Sequence, residues 1–330
     1  MSIEREKLFA LIKQRLPENV SFIEEVADVL DISYDAMYRR VNGKTVLSFN
    51  EAIKLAKQYK ISINSIYSLE QGDDLFVLKR KNDNSINGVL NFFLEITNSI
   101  KAFNLDDKSE LFYAAKDIPI YYLPEGSLYT KFKLYVISQS YLSEKEKVKF
   151  ERFNVPLSLV KSAKDFTKMY QNINITEVWN DTTINSALYQ IYYFFETKLL
   201  TKSEANELCN ELKKIVQQLE NKATQKVFSE SGNKKYELYY NKSITLNNTS
   251  LFKRDKIKIL TIPYTHLSYI RIDDKDSCDE YQQFFERQIL MSKKISGNSE
   301  VVRELFFTSV YEKINQLKQQ IEVKSLISFM

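Results

Sequence analysis

The first 67 residues carry helix start and stop signals so densely that only short helices joined by tight turns satisfy them. Residues 4–16 place Leu8, Phe9, Leu11 and Ile12 at helical spacing, and Pro17 ends the run because its ring cannot continue a helix. Ser21 followed three residues later by Glu24 predicts a capping box for a second helix, with Ile23, Val26, Ala27 and Leu30 on one face. Ser33 is placed to cap a third helix over 34–41, with Met37 and Val41 turned inward, and Asn42-Gly43 ends it. Ser48 and Glu51 predict another box, opening a fourth helix that buries Ala52, Ile53, Leu55 and Ala56. A turn from Ser62 with Ile63 and Ile66 brings the expected number of helices to five.

The remaining chain is marked less sharply. Polar runs EQGDD and KRKNDNS around a short LFVL make 68–85 the expected linker between a domain at 1–67 and a larger one at 86–330. Helical periods are expected over 86–103, 128–141, 158–170, 182–199, 278–293 and 298–320, with Trp179-NDTT as a helix entry. Thr201 and Glu204 box the start of a long helix carrying Leu208, Leu212, Ile215, Val216, Leu219 and Ala223. DIPIYYLPEG holds two prolines and a glycine and reads as loop or edge strand. Alternation in KYELYYNKSITL, KIKILTI and LSYIRI, with Asn247-Asn248 and Asp273-Asp274 as turns, predicts a small antiparallel meander. The expected class is therefore mainly α: a five-helix N-terminal domain, then a larger helical α+β domain with that meander.

Several function classes are disfavoured by composition. The 6 glycines are isolated, so no phosphate-cradling glycine loop is present. A single histidine, His266, and two distant cysteines, Cys209 and Cys278, leave no metal-ligating set, and no cofactor or metal is expected. His266 reads as a structural hydrogen-bonding group, and Asp273, Asp274 and Asp276 as a solvated turn. Two separated thiols suit a reducing compartment. Charge interrupts the apolar residues of MSIEREKLFALIKQRL, and no run approaches the ~20 apolar residues of a spanning helix, so a cytoplasmic protein without a membrane partner is expected. The paired aromatics Tyr121-Tyr122, Tyr192-Tyr193 and Tyr239-Tyr240 read first as core or interface and second as an aromatic ligand pocket.

Net charge is +4 from 47 Lys and Arg against 43 Asp and Glu, which points to no partner by itself. Its distribution is more informative. Residues 1–70 balance ten bases with ten acids, yet 39–60 holds six bases against the one acid Glu51.

Within that region, VADVLDISYDAMYRRVNGK (26–44) resembles the helix-turn-helix of lambda-repressor-like transcription regulators. Ala27 is small where two helices would cross, Leu30, Ile32 and Met37 are apolar where the motif turns inward, and Ser33 caps the second helix. The family usually has Gly at the tight turn; here Asp31 stands, one of the few residues that tolerate positive φ. The resemblance covers about one fifth of the chain. It implies a recognition helix, 33–41, in the major groove of double-stranded DNA, with Tyr34, Asp35, Tyr38 and Arg39 presented to base edges. Arg39 suits bidentate bonding to guanine, the tyrosines suit a thymine methyl or a phosphate, and Asp35 suits a cytosine amine. The resemblance further implies backbone contacts at the corner holding Asn42, Lys44 and Thr45. Lys54, Lys57 and Lys60 read as a solvated helix face.

Two functions follow as expectations. One is a sequence-specific DNA-binding regulator whose C-terminal domain dimerises, senses a small-molecule or peptide effector, or both. The other is an enzyme or defence-type effector that its helix-turn-helix targets or autoregulates; the missing catalytic groups favour the first. A homodimer is expected because a net-neutral reading domain has little electrostatic affinity for one half-site, and the stripe Val302, Phe306, Val310, Ile314 and Leu317 is the candidate interface or else a cover for the monomer's core.

Overall fold

A computed structural model describes residues 3–17, 20–59, 61, 78–80, 85–101, 108–123, 126–140, 142, 146–229 and 232–327. The chain divides into two compact units, Met1–Leu78 and Lys79–Met330. Among the described residues no helix is long and apolar enough to cross a membrane.

The first unit has four described helices rather than five: α1 (Ile3–Lys13), α2 (Phe22–Leu30), α3 (Tyr34–Val41) and α4 (Phe49–Gln58). The expected fifth, from Ser62 to Ile66, lies outside the described residues, as does most of the 68–85 stretch. Leu8, Ile12, Val26, Met37 and Leu55 form an entirely apolar core, each with 2% exposure or less. Caps behave unequally. Ser48 and Glu51 close a full capping box on α4, and Ser33 Oγ accepts the Ala36 amide of α3. Ser21 stands at the N-cap of α2 but its side chain makes no capping bond, so the box expected there does not form.

The second unit corrects the expected class from mainly α to α+β, because the strands form one extended mixed sheet and not a small meander. Nine strands are described: β1 (Leu78–Arg80), β2 (Glu110–Ala115), β3 (Asn174–Trp179), β4 (Val227–Ser229), β5 (Gly232–Tyr240), β6 (Thr249–Arg254), β7 (Ile257–Pro263), β8 (Tyr269–Ile272) and β9 (Lys293–Lys294). They run in the order β1-β8-β7-β6-β2-β3-β5-β4, with β9 beside β5. The antiparallel run β6-β7-β8 holds two of the three segments expected as a meander. Beside it stand β2 and β3, paired in parallel from Glu110–Asn174 to Ala115–Trp179, and β5 parallel to β3. ELFYAA and NITEVW are strands that no alternation in the sequence marks. Both are covered on two faces, so neither shows the clean alternation of a half-exposed strand.

Helices cover both faces of the sheet. Seven are described in this unit: α5 (Ile86–Lys101), α6 (Leu128–Gln139), α7 (Leu157–Tyr170), α8 (Asp181–Glu196), α9 (Lys202–Gln225), α10 (Lys275–Leu290) and α11 (Glu300–Ile327). Leu111, Ala115, Ile175 and Trp179 pack with the larger helical layer, whereas Ala114 and Val178 meet Phe285 of α10 on the other side. The DIPIYYLPEG segment forms a 3-10 turn over Ile120–Tyr122 that buries Tyr121 and Tyr122. Asp274, expected in a turn, is the N-cap of α10 and accepts the Ser277 amide at 2.8 Å.

Candidate nucleic-acid interface and interior cavities

The geometry of α2 and α3 follows from a few local choices. Asp31 ends α2 in the left-handed region (φ 59°, ψ 49°), which a short polar side chain tolerates. The Ile32 amide then closes back on Ala27 O at 3.1 Å, Ser33 caps α3, and Met37, fully buried, pins α3 to the core. Opposite Met37, α3 presents its polar side. Tyr34 and Tyr38, one turn apart, stand about half exposed with rings stacked at 6.4 Å. Asp35 and Arg39 form the adjacent exposed row. Asn42, Lys44 and Thr45 are exposed at the corner that follows, and the amides of Lys44 and Thr45 both donate to Arg39 O, at 2.8 and 3.2 Å. Gly43 makes this corner possible: its φ is +73°, and a Cβ there would lie 2.9 Å from Arg5 Nη1.

All seven expected DNA-contacting residues are thus exposed on one helix and the corner after it. Arg40 differs. It is half-buried, donating to Ala36 O at 3.0 Å and to Glu51 Oε1 at 2.8 Å, so it ties α3 to the capping box of α4. Burial alone would raise the Glu51 pKa, but the bonds from Arg40 and Ser48 outweigh it and hold the carboxyl below its ordinary value. Lys54 and Lys57 are exposed, and Lys60 lies outside the described residues. Two residues that sequence reasoning passed over stand beside the corner: Val46 and Phe49, 83% and 73% exposed. Large apolar side chains so exposed next to Thr45 suit contact with a thymine methyl or a sugar face.

The second unit buries a carboxyl group completely. Ile175, Glu177 and Trp179 alternate onto the same face of β3, which puts a carboxylate in the central strand against the main helical layer with no solvent exposure. Four donors surround it: Tyr121 OH at 2.5 Å and Tyr122 OH at 2.7 Å on one oxygen, Trp179 Nε1 at 2.7 Å and Tyr236 OH at 3.2 Å on the other. Burial raises the Glu177 pKa above its ordinary value even though all four bonds act to lower it. Burial and the neighbouring carboxylate push the three tyrosines well above theirs.

Tyr121 lies in the wall between two cavities. One, of about 610 Å³, is lined by Lys133, Asp117, Gln190 and His266 among others. Lys133 is nearly buried and donates to Asp117 at 2.6 Å and to Gln190 at 3.0 Å. His266 sits here, its pKa lowered by partial burial and then by Lys133. The other, of about 540 Å³, lies among α5, the 3-10 turn, α6, α7 and α9.

Burial lifts the thiols of Cys209 and Cys278 to about 12 and about 11, which keeps them protonated. No cluster of three His, Cys, Asp or Glu that could hold a metal occurs among the described residues. Phe306, Val310, Ile314 and Leu317 are buried in the chain's own core, where α11 packs on α8 and α9. These four of the stripe's five residues cover the chain's own core, while Val302 is half-buried. Comparison of the chain with protein-family models, curated proteins and solved structures gives no match.

Proposed function

We propose that the chain is a cytoplasmic, sequence-specific transcription regulator that reads double-stranded DNA with α3. The observation that carries this reading is the pair α2–α3: a tight turn at Asp31, a capped second helix held by Met37, and Tyr34, Asp35, Tyr38 and Arg39 exposed on its outer side. A helix presented in this way fits the major groove, whose base edges carry a distinct donor and acceptor code. Exposed Asn42, Lys44 and Thr45 then meet the phosphates beside the groove. Residues 86–330 serve as the sensing and assembly part. Two copies bind half-sites about one helical turn (~34 Å) apart.

The test is a binding series on the full chain across salt concentrations after selection of bound sequences from a random pool. Arg39→Ala should cost about 1–3 kcal/mol at the selected sequence and relax preference at one base pair. Lys44→Ala should weaken binding to all sequences and lower the salt slope by about 1. No selected sequence, or an Arg39→Ala protein with unchanged preference, overturns the reading.

A further inference from the structure

We infer that the 610 Å³ cavity over β2, β6 and β7 is a binding site for an uncharged, hydroxyl-rich ring, a simple sugar. Its floor follows from the strand register. Tyr113 on β2 pairs with Ser250 on β6, and Ser250 pairs with Thr261 on β7. One hydroxyl per strand therefore crosses three neighbouring strands at the ~4.8 Å strand spacing, on the face that meets the main helical layer. Tyr170, buried on α7, adds a fourth hydroxyl from the helical layer. Among the described residues none of these four hydroxyls has a hydrogen-bond partner, and none is sealed into the packed interior. Burial pushes the Tyr113 and Tyr170 phenols above their ordinary value, so both carry their protons. Gln190 accepts from Lys133 with its oxygen and leaves its amide NH2 group on the same wall without a partner.

Polar groups at such depth are paired in folded proteins, so a set that the chain leaves unpaired on one wall calls for an occupant with matching groups. Each hydroxyl both donates and accepts, and a ligand with several hydroxyls answers the row at once while releasing the waters that would answer it singly. Charge and shape narrow the class further. Of the charged residues in the lining, Lys133 and Asp117 pair with each other at 2.6 Å, His266 is shifted by burial toward its uncharged form, and Lys116 is exposed. A charged ligand must break that pair or meet a like charge, whereas an uncharged one leaves it intact. A flat ring finds no slot, because Tyr121 and Tyr170, the parallel pair of the wall, are already stacked on each other at 4.5 Å. Phe92, Phe166 and Tyr269 supply apolar surface on which the C–H face of a sugar packs, and the volume lies in the range that small ligands fill.

The cavity also has a built-in reporter. Tyr121 lines it, stacks on Tyr170 and bonds the same Glu177 that accepts from Trp179, the single tryptophan of the chain. A ligand that shifts either tyrosine alters the environment of that indole.

This inference rests on reading residues 86–330 as the sensing part, but its test contains no DNA, so the two can fail separately. The full-length protein is titrated with glucose, galactose, mannose, maltose and lactose, following Trp179 fluorescence and calorimetric heat. Glucose 6-phosphate, glucosamine, adenine and cyclohexanol serve as charged, flat and hydroxyl-poor controls. At least one of the sugars should saturate at one site per chain, at least tenfold tighter than every control. Tyr113→Phe with Thr261→Val removes two hydroxyls and keeps the shapes of both side chains, so it should weaken that sugar tenfold or more. The same double variant should leave the thermal midpoint of the free protein unchanged or raised, since neither hydroxyl bonds within the chain. Absence of saturation by all of the sugars, a control that binds as tightly as the best sugar, an unchanged sugar affinity in the double variant, or a lowered midpoint overturns the inference.

Discussion

The two units place their polar chemistry on opposite sides of their cores. In the first, a wholly apolar core supports a helix whose tyrosines, aspartate and arginine face outward. In the second, the central strand turns a carboxylate inward and surrounds it with four donors from the 3-10 turn, β3 and β5. Outward groups cost little to fold and stay available to a partner. An inward carboxylate must be answered by the fold itself, and the protons that answer it are committed to it. The difference separates residues that recognise from residues that organise.

The largest effect should therefore come from the interior. Glu177→Ala removes the acceptor shared by three buried tyrosine hydroxyls and an indole N–H, and should cost about 3–5 kcal/mol of stability. Urea unfolding followed by Trp179 fluorescence measures it. Removal of Asp35, an exposed carboxylate, should change stability by under about 0.5 kcal/mol. Comparable costs for the two would erase the distinction.

Proton linkage should differ in sign between the units. Glu177 has a folded pKa raised by burial, so its contribution is fully present below the unfolded value of about 4.3 and is lost as pH rises through the folded value. Glu51 has a lowered folded pKa, so its contribution is present above about 4.3 and is lost as pH falls through the folded value. Glu177→Gln should remove a slope of at most about 1.4 kcal/mol per pH unit above pH 4.3 in stability–pH profiles of the second unit. A variant profile parallel to the wild type would mean that Glu177 titrates normally.

Adjacent arginines on α3 sharpen the contrast within one helix. Arg40→Ala removes bonds to Ala36 O and Glu51 and should lower stability by about 1–2 kcal/mol, with base preference unchanged. Arg39→Ala should do the reverse. Thermal unfolding and pool selection on the two proteins separate these roles.

How much of this was readable beforehand depended on whether the signal was local. Helix starts at Ser33, Ser48 and Thr201 are written in three or four consecutive residues and are legible, as is the exposed face of α3 given an inward Met37. The parallel core is not. β2 and β3 pair across 64 positions of sequence at Glu110–Asn174, and Glu177 makes NITEVW look polar although every residue from Glu177 to Trp179 is buried. The 540 Å³ cavity is equally illegible, since its walls come from α5, the 3-10 turn, α6, α7 and α9, which are far apart in the chain. The Arg40–Glu51 pair is not legible in the sequence either, because Glu51 lies across a turn whose geometry one-dimensional spacing does not express.

The smallest expected effect tests whether a sequence signature acts by being present or by being bonded. Ser48 and Ser21 occupy equivalent N-cap positions, each followed three residues later by Glu, and on sequence alone their removal should cost the same. Ser48 Oγ accepts the Glu51 amide and Glu51 Oε2 accepts the Ser48 amide, so Ser48→Ala breaks a reciprocal pair and should cost about 1 kcal/mol. Ser21 has capping dihedrals but its hydroxyl makes no cap bond, so Ser21→Ala should cost no more than a few tenths of a kcal/mol. Helix α2 is instead held by Val26, Ala27 and Leu30 in the core and by the left-handed Asp31 at its end. Chemical denaturation of the two variants measures the difference directly. Equal losses of about 1 kcal/mol would show that the Ser21 box forms in solution, and would restore to the turn before α2 the same local encoding found before α4.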